Sequence, residues 1–178
     1  EDGPSRIRQR MAMMIKEYPA TDKVKIATTW GVPGQKNVSI LDTWLTDHPE
    51  TKAVFIDTFV KFFGPGMRRG YHSEYMAAAR LKDVADHHGV SIVLIHHTIK
   101  KVPEDWLMAL YGSSGLTGAA DSIMFLDRER GADQAIFHAT GRDIDDISVA
   151  IRLDRQSCVW HVEGDAEIIK LNAERRGN

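Results

Sequence analysis

Two apolar runs that each end in polar residues set the tightest limit on how this chain folds. Ala53-Val54-Phe55-Ile56 leads into Asp57-Thr58, and Ile92-Val93-Leu94-Ile95 leads into His96-His97-Thr98. Each run reads as a strand buried on both faces, with its chemistry confined to the carboxyl end. Between them, Ala77, Leu81, Val84, Ala85 and His88 share one face of a helix expected from about Ser73 to His88, and Gly89 suits the position after its end. Strand, helix, strand in that order implies a right-handed parallel crossover. In open α/β sheets, ligands bind at the carboxyl edge of the strands.

An Asp carried to that edge on a stiff strand suits a hydrated Mg²⁺ beside a nucleoside triphosphate. A His on the neighbouring strand suits sensing of the terminal phosphate. The formal net charge of −2 gives no global attraction to nucleic acid or to anionic membrane, so such binding has to come from local patches. Cys158 is the only cysteine, which rules out a disulfide within the chain and fits a reducing compartment. No apolar stretch approaches the ~20 residues of a membrane helix, and no signal peptide is visible. A cytoplasmic location away from membranes is expected.

The remaining pattern fills in around these strands. Ile7, Met11, Met14 and Ile15 fall on one helical face, with Asp2 as cap and Pro4 in the first turn. Val24 to Thr28 reads as a short strand. Asn37 is placed to cap a second helix whose apolar face is Ile40, Leu41, Trp44 and Leu45. Phe62-Phe63-Gly64-Pro65-Gly66 with Arg68-Arg69-Gly70 reads as a mobile loop, and so does Lys100 to Gly118 apart from a short helix near Glu104 to Leu110. Strands are expected at Ser122 to Leu126, Ala135 to Ala139, Ile147 to Leu153 and Cys158 to Val162, with a charged turn from Arg128 to Asp133 and a final helix from Asp165 to Glu174. Glu1-Asp2-Gly3-Pro4 opens without Met and looks like the loop after a strand, so the chain is expected to be a fragment of something longer.

Val54-Phe55-Ile56-Asp57-Thr58, Leu94-Ile95-His96-His97-Thr98-Ile99-Lys100, Gly112-Ser113-Ser114 before Ala120-Asp121-Ser122, and Thr140-Gly141-Arg142-Asp143 occur in that order. Together they resemble RecA-like ATPases, in particular the RepA-type hexameric replicative helicases of plasmids and phages, over about residues 1 to 155. The resemblance implies an α/β, RecA-like P-loop NTPase core with a parallel sheet flanked by helices, followed by a C-terminal antiparallel β extension. It implies one domain over 1–178, with a parallel part at 1–126 and a β-rich part at 127–178. It also implies ATP and Mg²⁺ as cofactors, and a homo-oligomeric, hexameric ring acting on single-stranded DNA.

The family's Walker B aspartate matches Asp57, whose metal role is through water, with Thr58 and His96 beside the nucleotide. Its third motif ends in a phosphate-sensing Gln or His, which matches His96-His97. Strand alternation opposes the two rings and favours His97 as sensor, but leaves the choice open. Its catalytic glutamate matches Glu1, the base that polarises the attacking water.

Two departures accompany the likeness. No G-x-x-x-x-G-K-[ST] occurs, so the amide nest, the lysine and the Mg²⁺-binding hydroxyl of a P-loop are missing from these residues. The piece alone is therefore expected to be a poor ATPase or none, and to be unstable, oligomeric or accompanied by its P-loop half. Met124 stands near the place where some relatives carry a trans-acting arginine, and Arg142 is the better finger candidate. A degenerate, non-hydrolytic binding module and a recombination ATPase of the same fold remain alternatives.

Plainer roles compete at each position. Asp57 also suits a strand-end cap, His96 a packed core residue, and Arg142 a local ion pair with Asp143, Asp145 or Asp146. Lys61, Arg68, Arg69, Lys100 and Lys101 suit DNA phosphates in a ring pore, with Phe62, Phe63 or Tyr71 stacking on bases, or simple solvation. The eight histidines are scattered, without H-E-x-x-H or Cys/His spacing, so no zinc site is expected. Cys158 is expected to be buried and inert within a strand.

Overall fold

A computed structural model describes residues 3–16, 21–31, 36–64, 67, 70–97, 114–166 and 169. The elements are α1 (Pro4–Met14), α2 (Lys36–Asp47), β1 (Ala53–Asp57), α3 (Phe59–Phe63), α4 (Tyr71–His88), β2 (Ser91–Ile95), α5 (Ser114–Ala119), β3 (Ser122–Asp127), β4 (Gln134–Gly141), β5 (Ile147–Asp154) and β6 (Val159–Asp165). They fall into two compact units. One lies within residues 27–120, and the other combines residues before 27 with those from 121 on. The architecture is mixed α/β, with a two-stranded parallel sheet and a separate four-stranded antiparallel sheet, as in a RecA-like core with a β extension.

In the first unit, β1 and β2 pair in parallel with Ala53 opposite Ser91 and Asp57 opposite Ile95. Their even-numbered side chains (Val54, Ile56, Ile92 and Leu94) pack on a cluster built from Val38, Leu41 and Leu45 of α2, Phe59 and Phe63 of α3, and Ala77, Leu81 and Val84 of α4. Burying large side chains of this kind stabilises a fold by about 1.5–3 kcal/mol each. The odd face differs from expectation: Phe55 is 69% exposed and Ile95 36%. The odd face of these two strands is thus the more solvent-exposed one, with only Val93 half-buried on it.

α4 forms as its apolar spacing requires and stops at Gly89. That residue takes the left-handed conformation (φ 62°, ψ 39°), and its N–H donates to the Ala85 carbonyl. A glycine makes this reversal without the steric cost of a Cβ. Val90 then leads into β2, whose first residue, Ser91, donates its N–H to Lys52 O at 3.0 Å.

Several local expectations need correction. Phe62 and Phe63, expected to open a mobile loop, instead end the helix Phe59–Phe63, which is anchored by Phe59 and Phe63, whose rings lie 4.9 Å apart. Asn37 does not cap α2. It lies inside the helix, buried, and its Nδ2 donates to Phe62 O at 2.7 Å. Residues 24–28 form no strand, and Val24 and Ile26 are exposed. α1 forms, but Gly3 stands at its cap and none of its residues is buried. Ser114–Ala119 is helical where a glycine-rich loop was expected. The predicted helices near Glu104 to Leu110 and after Asp165 fall largely outside the described residues.

In the second unit, β3, β4, β5 and β6 form a meander in that order, so β3 belongs to the antiparallel sheet and not to the parallel one. Phe125, Ala135, Ala139 and Ile151 are its buried apolar residues. The β3–β4 turn is tied by Arg155, which pairs with Asp133 and donates to Gly131 O at 2.7 Å. Cys158 lies in the turn before β6 with φ 59°, not within a strand, and its Sγ is 3.8 Å from Met13 Sδ. Among the described residues no helix is long and apolar enough to cross a membrane.

Candidate active site

Parallel pairing brings the two polar strand ends to one rim. Asp57 closes β1 opposite Ile95, and His96-His97 follow directly. Asp57 and His97 are exposed, while Thr58 is buried and His96 is half-buried. The rim is held from beneath. The Asp57–Thr58 peptide is cis. The Thr58 carbonyl accepts the Phe62 N–H at 3.0 Å, opening α3 immediately after the aspartate. Phe59, 1% exposed, fixes that helix in the core. The Asn37 amide then holds the far end of α3, so Asp57 stands on a braced strand–helix junction.

The two histidines differ in environment. Burial is the main influence that lowers the His96 pKa from its ordinary value; the Glu74 charge opposes this, and His97 adds to it. His96 is accordingly neutral near pH 7, and its Nδ1 is buried with no hydrogen-bond partner among the described residues. Glu74 lies in the first turn of α4. The glycine-rich segment meets the same turn, where a Cβ on Gly115 would stand 2.3 Å from Tyr71 O and 2.8 Å from Glu74 Cβ. Only glycine permits that approach. Glu74 thus connects the His96 environment to the Gly-Ser segment. No sequence pattern singled it out, because it is one of many charges on a long helix.

Of the residues singled out by sequence, Asp57, Thr58, His96 and His97 gather at this rim. Arg142 belongs to the other unit, where its guanidinium lies 3.6 Å from the Asp121 carboxylate and its backbone N–H donates to the Asp121 backbone carbonyl at 3.0 Å. The local ion pair is therefore with Asp121, not with Asp143, Asp145 or Asp146. Glu1, Arg68, Arg69, Thr98, Lys100, Lys101, Gly112 and Ser113 lie outside the described residues.

An exposed carboxylate at a strand end, beside a neutral imidazole with an unpartnered buried nitrogen, fits the metal and phosphate-sensing side of a nucleotide site. The phosphate-cradling side has no counterpart, since the sequence holds no G-x-x-x-x-G-K-[ST]. A family model described as an AAA domain matches residues 1–103. The chain belongs to the AAA domain family. It is thereby an ATPase-type, nucleotide-binding domain, and the matched span contains both strands of the rim. No curated protein matches the sequence.

Proposed function

We propose that this AAA domain contributes the metal-holding and phosphate-sensing side of a RecA-like ATPase of the RepA-type replicative helicase class. The observation that supports this is the parallel register ending in Asp57 on one strand and His96-His97 on the next. In this reading ATP and Mg²⁺ are the cofactors. The ion, when bound, offsets the charge that develops on the transferred phosphoryl group. Asp57 orients a water in its shell, which asks for the exposed carboxylate seen here. His97, exposed at the same rim, contacts the terminal phosphate, and Thr58 and His96 lie behind it. Glu1 polarises the attacking water.

Arg142 acts on a neighbour's nucleotide in a homo-oligomeric, hexameric ring, which the exposed position of its side chain permits. Arg68, Arg69, Lys100 and Lys101 contact single-stranded DNA phosphates. Hydrolysis by the 178 residues alone is expected to be absent, because they supply neither the amide nest nor the lysine of a P-loop. That same lack supports a second reading, a non-hydrolytic binding module of the same fold.

The test is ATP hydrolysis, with and without single-stranded DNA, by the product of the whole reading frame that encodes these residues. DNA-stimulated hydrolysis that Asp57→Asn abolishes supports the motor, and unwinding of a forked duplex separates helicase from recombination ATPase. Retained DNA or partner binding without hydrolysis establishes the module instead.

A further inference from the structure

A cluster of two histidines and an aspartate stands where α4 stops and β2 begins. His87 and His88 form the last turn of α4, and Asp42 faces them from α2. The His88 Nε2 lies 2.7 Å from Asp42 Oδ1. One donor atom from each of Asp42, His87 and His88 lies within 4.8 Å of the other two, in a grouping that is the only one of its kind among the described residues. The two imidazole planes stand at 84° with centroids 4.7 Å apart, so they are edge to face and not stacked. Asp42 and His88 are half-buried while His87 is exposed, which leaves one side of the group open to solvent. A cleft of about 340 Å³, lined in part by Thr46, His48, His87 and His88, opens beside it.

We propose that Asp42, His87 and His88 bind a divalent transition-metal cation of the Zn²⁺ type. An imidazole nitrogen and a carboxylate oxygen 2.7 Å apart share either a proton or a cation. Two donors on one tetrahedral Zn²⁺, each at ~2.0–2.1 Å, lie ~3.3 Å apart. The Asp42–His88 pair is therefore already near that spacing, and only His87, at the exposed edge, has to turn inward. Two nitrogens and one carboxylate oxygen suit Zn²⁺ and its neighbours over Mg²⁺ or Ca²⁺, which prefer all-oxygen shells. Water from the cleft completes the fourth position. The bound ion cross-links α2 to the end of α4. The site is independent of the nucleotide reading, since neither Asp57 nor His97 takes part.

Sequence spacing could not reveal this group, because its carboxylate comes from a different helix, 46 positions before His88.

The test uses untagged protein with ZnCl2 and CoCl2 as probes. One equivalent of Co²⁺ is expected to give the ligand-field absorption of a four-coordinate nitrogen–oxygen site, displaced by Zn²⁺. Zn²⁺ at about 100 times its Kd is expected to raise Tm by roughly 5 °C or more. His87→Ala, at an exposed position that keeps the fold, and His88→Ala are each expected to weaken binding ~10-fold or more. His72→Ala, at the opposite end of α4, should change nothing. Absence of both signals overturns the proposal. So does a signal that survives His87→Ala combined with His88→Ala, or one that His72→Ala removes equally.

Discussion

The buried side chain of Asn37 in α2 donates through Nδ2 to the backbone carbonyl of Phe62 in α3 at 2.7 Å. This bond satisfies a carbonyl at the end of a five-residue helix and ties two elements distant in sequence behind the Asp57 rim. Replacing Asn37 by Ala removes the partner of that carbonyl, on a half-buried residue. The expected cost is about 1–3 kcal/mol, read as a lower urea midpoint at unchanged slope.

Phe59 is the first residue of α3 and is 1% exposed. Phe59→Ala is expected to cost about 3–5 kcal/mol, because the cavity sits among α2, β1 and α4 side chains that cannot all collapse. It should also loosen the junction that carries Asp57. Hydrogen exchange would report this as faster exchange at the Phe62 amide, which donates to Thr58 O.

His138 gives a pH dependence of known sign. Its Nδ1 lies 2.8 Å from Ser148 Oγ, and burial holds its pKa below the ordinary 6.5, with the Asp127 charge opposing. The unfolded chain therefore takes up this proton first as pH falls. Stability from the neutral ring is present above about 6.5 and is lost on acidification through the lower native value. Denaturation at about pH 7.5 and about pH 5.5 should show the loss, and His138→Gln should flatten it.

The Arg142–Asp121 pair is exposed and separated by 3.6 Å. Surface pairs of this kind contribute at most about 1 kcal/mol, so Arg142→Ala should leave Tm nearly unchanged. Loss of hydrolysis in an assembly of the whole gene product, with recovery on mixing with Asp57→Asn subunits, would then reflect action in trans and not misfolding. Unchanged hydrolysis would remove the finger role.

The central crossover was legible because its signals are long and periodic. Four apolar residues before Asp57, four before His96, and a helix stopped by Gly89 admit one local arrangement. The later strands were legible as strands, most clearly β5 from alternation in Ile147, Val149, Ile151 and Leu153, but the place of β3 beside them in the antiparallel sheet was not. α3 was not, since one turn and a half shows no period, and Gly64-Pro65-Gly66 masks it as a loop. Val24 to Thr28 has strand-forming residues but gains no pairing neighbour among the described elements, and propensity alone does not make a strand. Burial was overestimated for β1 and β2 because an apolar run shows that a face can be covered, not that it is.

At the rim, Asp57 and the two histidines were visible as strand endings. Glu74 and the Asp42–His87–His88 group were not, because they depend on which helices meet. The alternation argument separated His96 from His97, and their unequal exposure follows from it.

The pairing of Ala53 with Ser91 fixes where β2 starts counting, and side chains in a strand alternate with a period of two. A chain that gained a single residue between Val90 and Leu94 would leave helix α4 and its glycine stop untouched. It would nonetheless exchange the two imidazoles, turning the solvent-facing ring inward and the sheltered one out. Length in that short segment, more than the identity of any side chain along it, decides which histidine a ligand at the rim would meet.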